Sequence, residues 1–175
     1  MTKKIRSVSN TCIIMLVCIG INYMGKVLAA DWHLPLWMDS IGTGMSACLL
    51  GPFFGALCGA TNNILYGMRN VTSYAYAFTS VAIAIVMGIC MRRHMIRDWF
   101  GVFTTSALVS AVAVIVSTPF NLIFFQGYNG NLWGDALFDM FRYYRIPVVI
   151  ASGLSELLVD FPDKVVTVCI IFGIL

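Results

Sequence analysis

Residues 34–67, LPLWMDSIGTGMSACLLGPFFGALCGATNNILYG, carry a single charge, Asp39, and their reading decides how the whole chain is arranged. A run this long and apolar is either one bent helix or two short helices folded back on each other. Gly51-Pro52 falls near its middle and is a turn dipeptide whose proline suits the first turn of a following helix. Charge placement favours the split. Lys3, Lys4 and Arg6 precede the first apolar segment, and Arg92, Arg93 and Arg97 form the next basic cluster. Basic clusters prefer the cytoplasmic side of a membrane, which demands an even number of crossings between them. Two helices within 34–67 supply that parity; one does not.

Outward from this run the composition points the same way. Hydrophobic residues make up 59% of the 175 positions and charged residues 11%, too few to cover a soluble domain of this size with polar surface. A spanning helix needs roughly 20 predominantly apolar residues, because hydrocarbon leaves no backbone amide a partner outside the helix. Six apolar segments approach this: residues 10–30, 36–50, 52–66, 74–91, 99–125 and 147–175. The expected fold is a single all-α integral membrane domain over residues 1–175, with six transmembrane helices and both termini cytoplasmic. The apolar run at 147–175 has no basic tail after it, which leaves both a C-terminus at Leu175 and a longer chain open.

The three connections at 31–35, 67–73 and 126–146 then share the outer face. Asp98 is the one acid beside the basic cluster; the other seven lie in these connections or the segments flanking them. Within the long connection Leu137, Phe138, Phe141 and Tyr144 recur at helical spacing, predicting a short interfacial helix that serves as a headgroup anchor or as a lid.

Polar groups near the outer helix ends are the candidate binding residues, since charge inside a membrane is costly and is paired or functional. Asp39 is placed to complement the positive end of the second helix, as a cap or as a ligand group. Asn62, Asn63 and Tyr66 end the third helix on the same side, where the amides bond either neighbouring helices or a solute. Glu156 and Asp160 share a helix face, with Lys164 one turn beyond to neutralise Asp160 and a kink expected at Pro162. Glu156 has no basic neighbour at helical spacing and is expected to face outward as a ligand group. Asn121 and Asp135 add hydrogen-bonding capacity, and Trp37, Tyr66, Tyr74 and Trp133 add stacking surface. Aromatic faces beside carboxylates and amides suit a small, flat, polar molecule, with a leaning towards a cationic one.

Several patterns lead nowhere. The N-terminus is laid out like a secretory signal, but its apolar stretch is long for one and is interrupted by Asn22 and Lys26. Residues 20–26 match the glycine–lysine part of a phosphate-binding loop. Val27 stands where a hydroxyl residue would hold magnesium, and no strand precedes. Close helix approach accounts better for Gly20 and Gly25, and snorkelling to the outer interface for Lys26. Cys12, Cys18, Cys48, Cys58, Cys90 and Cys169 all lie in apolar segments without metal-ligand spacing, which reads as helix packing. No cofactor and no metal site are expected.

Leu34-Pro35-Leu36-Trp37-Met38-Asp39-Ser40-Ile41-Gly42-Thr43, Leu50-Gly51-Pro52-Phe53-Phe54-Gly55-Ala56 and Thr61-Asn62-Asn63 resemble the substrate-binding S components of energy-coupling factor (ECF) transporters. So do Gly127-Tyr128-Asn129-Gly130-Asn131-Leu132-Trp133-Gly134-Asp135 and the stretch from Glu156 through Asp160-Phe161-Pro162-Asp163-Lys164. The resemblance covers nearly the whole chain. It implies a non-enzymatic subunit in a bacterial plasma membrane that captures a vitamin-like micronutrient beneath its outer loops. The partners implied are a transmembrane coupling subunit and two ATP-binding cassette ATPases, with no nucleic acid. An A-x-x-x-A docking motif, common on the first helix of that family, is not found here; Ser7, Thr11 and Cys12 stand in that region. Two other classes compete. A ligand-sensing membrane module would continue into a signalling domain, and an intramembrane enzyme would need a nucleophile and base at sensible spacing, which are not seen.

Overall fold

A computed structural model describes residues 8–174, so Lys3, Lys4, Arg6, Ser7 and Leu175 lie outside the described residues. Among these residues the chain is all-helical: α1 (Val8–Asp31), α2 (Ile41–Leu50), α3 (Pro52–Gly67), α4 (Ala77–Arg92), α5 (Trp99–Phe125), α6 (Leu132–Tyr143) and α7 (Val148–Ile174), with a 3-10 turn at Val71–Tyr74. Of these, α1 and α5 are long and apolar enough to cross a membrane.

The break at Gly51-Pro52 is a tight reversal. Gly51 takes φ 104°, a region open to glycine, and Pro52 starts α3 where its missing N–H costs nothing. Gly55 then packs directly on Ala47, so α2 and α3 form a hairpin and not one bent helix. The predicted start of the second segment at residue 36 moves to Ile41, leaving an α2 of 10 residues, about 15 Å long. Tertiary bonds hold Leu36–Ser40 out of the helix. Met38 sits at φ 52°, and the N–H groups of Trp37 and Met38 donate to Asp163 on α7.

Of the two roles open to Asp39, cap or ligand group, it does not take the first: it is not the cap of α2. Ser40 holds the N-cap position without a side-chain cap, and Asn22 of α1 does the work instead. Its Oδ1 accepts from Gly42 N at 2.6 Å and Thr43 N at 3.4 Å, while its Nδ2 donates to Thr43 Oγ1 at 2.8 Å. Those are the amides a helix N-terminus leaves unsatisfied. Gly42 permits the approach, since a Cβ there would run into the Cys18 carbonyl.

Gly25 likewise admits the Met38 carbonyl against α1, whereas Gly20 has open space around it and supports no close approach. Helix α7 runs without a break through Pro162. All six cysteines are free; Cys18, Cys58 and Cys90 are buried between helices, but Cys12 is exposed.

Buried charge is kept away from the apolar core, although buried hydroxyls such as Thr105, Ser106 and Thr167 are interleaved with it. The apolar core gathers Ala47, Met87, Ile96, Val102, Val168 and Ile171 at the end where Arg92, Arg93 and Arg97 lie. At the other end three connections meet. Arg69 pairs with Asp31 at 3.1 Å, Asn131 Nδ2 donates to the Leu34 carbonyl at 3.2 Å, and Trp133 Nε1 donates to the His33 carbonyl at 2.8 Å. The amphipathic α6 buries Gly134 and Phe138, whose ring meets Tyr128 edge-on at 4.8 Å.

Candidate functional site

Beneath these joined connections lies a cavity of about 400 Å³, within the range of small-molecule sites. The end of α1 supplies Lys26 and Ala29, the first connection Leu36 and Trp37, and α3 supplies Tyr66. Ser73 and Tyr76 come from the second connection, and Asn129, Asn131 and Asp135 from the third. Asp135 shapes its rim by accepting the N–H groups of Asn129 and Gly130 at 2.9 and 3.1 Å. Asn131 caps α6 by accepting from Trp133 N and Gly134 N. Outside the helices, the Tyr128 hydroxyl donates to Asp139 at 2.7 Å, and that bond raises its pKa above the ordinary phenol value.

Deeper in the bundle is a second chamber of about 30 Å³, lined by Lys26, Trp37, Asp39, Tyr76, Thr79, Ser80, Ile83, Glu156, Asp160 and Lys164. Lys26, Trp37 and Tyr76 line both spaces. The Trp37 and Tyr76 rings, 6.2 Å apart and inclined at 40°, stand where outer cavity and inner chamber meet.

Two buried lysines organise the floor. Lys26 Nζ donates to Asp39 at 3.0 Å, Asn63 Oδ1 at 2.7 Å and Ser73 Oγ at 3.0 Å, and lies 5.0 Å from the centre of the Tyr66 ring. It joins α1, the first connection, α3 and the 3-10 turn, which overturns the expectation that it snorkels to the interface. Lys164 Nζ contacts Asp160 at 2.8 Å and Asp163 at 2.7 Å; the first is the expected pair one helical turn apart. A third relay needs no lysine. The Tyr76 hydroxyl donates to Asn121 Oδ1 at 2.6 Å, and Asn121 Nδ2 donates to Glu156 at 3.3 Å. The tyrosine thereby sets which way the amide faces.

The predicted residues separate into three groups. Trp37 lines both spaces, and Asp39, Tyr66, Asp135 and Glu156 each line one of them. Glu156 is enclosed, 3% exposed, and not outward-facing as expected. Asn63 and Asn121 stand behind the lining, bonded to Lys26 and Glu156. Three do not reach the lining. Asn62 is buried elsewhere, with neither amide atom hydrogen-bonded within the protein. Tyr74 covers Gly67, and Trp133 straps the third connection to the first. Ser73, Thr79 and Ser80 also line these spaces without standing out in the sequence, and Tyr76 stands out there only as one of the aromatics at the outer helix ends. The signal for Tyr76 was its place one turn ahead of Ser80 at the start of α4, masked by the aromatic belt expected of any membrane protein.

Among the described residues no cluster of three or more metal-ligating side chains is present. No protein-family model, curated protein or solved structure matches this chain.

Proposed function

We propose that this chain is the membrane-embedded substrate-binding subunit of an ECF-type importer. It captures a vitamin or related micronutrient on the extracellular side for uptake driven by partner ATPases. In this reading α1, α2, α3, α4, α5 and α7 are the six membrane segments, α6 lies at the outer interface, and both termini are cytoplasmic. The observation that carries it is the cavity of about 400 Å³ roofed by three connections at the bundle end opposite Arg92, Arg93 and Arg97. A pocket that is polar at its floor, aromatic at its neck and covered by loops binds and encloses a small solute. Closure excludes water and strengthens the polar contacts to it. The energy source is assigned to partners: a coupling subunit and two ATP-binding cassette ATPases.

Two experiments test the proposal. Reporter fusions after Asn70 and after Arg97 are expected on opposite sides of the membrane, with Arg97 inside; the same side for both refutes the six-segment arrangement. Purified chain is expected to bind one member of a vitamin panel saturably, with affinity lost in Asp39→Ala, and to co-purify with ATPases from its native membrane. Failure to bind any member, together with no co-purifying ATPase, refutes the function.

A further inference from the structure

The inner chamber holds more negative charge than its lysines neutralise. Four carboxylates, Asp39, Glu156, Asp160 and Asp163, are gathered around two ammonium groups. All three donors of Lys26 are engaged, by Asp39, Asn63 and Ser73, and Lys164 is held between Asp160 and Asp163. Glu156 makes no ion pair of its own: it is left with neutral amides, that of Asn121 and more weakly that of Asn129, with Lys164 acting only from a distance. It is enclosed in the bundle, and Asp160 stands one turn further along the same helix face. A carboxylate removed from water is costly to ionise unless a cation reaches it. Thr79 points to the same missing group: it is 7% exposed, lines the chamber, and its hydroxyl makes no hydrogen bond within the protein.

We propose that the inner chamber is a subsite for a protonated nitrogen of the bound micronutrient, with Glu156 as its counter-ion and Thr79 as a second acceptor. This rests on the binding-subunit reading above and narrows its ligand to compounds that carry a protonated amine or a protonated ring nitrogen. Size agrees with charge. A chamber of about 30 Å³ admits a group the size of one water, as an ammonium is, while the body of the molecule occupies the outer 400 Å³. To enter, the cation passes the Trp37 and Tyr76 rings, whose faces attract positive charge. An anionic group has no comparable seat, because it would have to displace Asp39 from Lys26 or a carboxylate from Lys164.

The full chain, purified in detergent, is titrated with a charge-contrasted pair, pyridoxamine against pyridoxine, and with riboflavin as a further neutral probe. Small molecules retained from cells are identified by mass spectrometry in parallel. The tightest binder or retained molecule is expected to carry a positive nitrogen at pH 7, and Glu156→Gln to raise its Kd about tenfold or more. Melting curves establish that the variant is folded. Should Glu156→Gln fail to fold, Thr79→Val decides, because its hydroxyl has no protein partner to lose; the Kd for the cationic ligand is then expected to rise about threefold or more. A neutral or anionic ligand, or a cationic one whose Kd the deciding variant leaves unchanged, overturns the subsite and leaves the binding-subunit reading standing. No binding by any probe and no retained molecule overturns the subsite, and together with no co-purifying ATPase overturns the binding-subunit reading as well.

Discussion

Asp163 on α7 accepts the backbone N–H of Trp37 through Oδ1 at 3.1 Å, across 126 positions of sequence, and the same oxygen accepts Met38 N at 2.7 Å. Its other oxygen holds Lys164. One carboxylate thus fixes both the backbone of the neck residue Trp37 and the lysine beneath the inner chamber. Asp163→Ala removes all three bonds, and breaking a buried pair from one side costs about 3–5 kcal/mol. The apparent melting temperature in detergent is expected to fall by roughly 10 °C. Asp163→Asn keeps an acceptor for the two N–H groups and leaves Lys164 its bond to Asp160, so its loss is expected to be clearly smaller. Equal melting of the two variants would show that the backbone bonds contribute nothing.

Lys26 and Asp39 lend themselves to a double-mutant cycle. Each single change leaves the other charge buried without its ion-pair partner 3.0 Å away, so Lys26→Met and Asp39→Asn are each expected to destabilise by about 3 kcal/mol or more. The double variant leaves no orphaned charge and is expected to recover at least about 1 kcal/mol relative to the sum. Additive losses in chemical unfolding would mean that the pair is screened or uncoupled.

The helices were legible because apolar run length and the Gly51-Pro52 punctuation are local, and the Asp160–Lys164 pair because it lies within one helical turn. What could not be read depends on contacts distant in sequence. A lone lysine near a helix end reads as a snorkelling residue until Asp39, Asn63 and Ser73, 13, 37 and 47 positions away, are brought around it. The late start of α2 is equally non-local, since its cap comes from α1 and its preceding residues are bound by α7. Tyr74 and Trp133 lie off the linings of both spaces for the converse reason. Aromatic identity at an outer helix end says nothing about whether the ring turns towards a cavity, a glycine or solvent.

The cap supplied by Asn22 has a local signature. Asn22→Ala leaves the Gly42 and Thr43 amides without their acceptor, at a cost of about 1–2 kcal/mol, typical of cap removal. Hydrogen exchange followed by mass spectrometry is expected to show faster exchange in peptides covering residues 41–45, with α5 and α7 unchanged. Uniform acceleration along the chain would instead indicate global loosening and no specific capping role.

Gly20 and Gly25 belong to the same glycine–lysine pattern on α1, yet the structure separates them. A methyl at Gly25 would collide with the Met38 carbonyl, which lies in the segment that carries Trp37 to the neck of the cavity. Gly25→Ala must therefore push that segment away, and overpacking of this kind costs about 1–3 kcal/mol. Gly20 has no atom within reach of an added methyl, and replacing a mid-helix glycine by alanine gains roughly 0.5–1 kcal/mol in helix propensity. The paired expectation is a lower melting temperature for Gly25→Ala and an equal or higher one for Gly20→Ala. Ligand affinity is expected to fall only in the former, because only that change displaces Trp37 and Asp39. Were Gly20→Ala to impair binding while Gly25→Ala did not, the glycine pattern itself would be a ligand contact and the close approach of α1 to the first connection would be incidental.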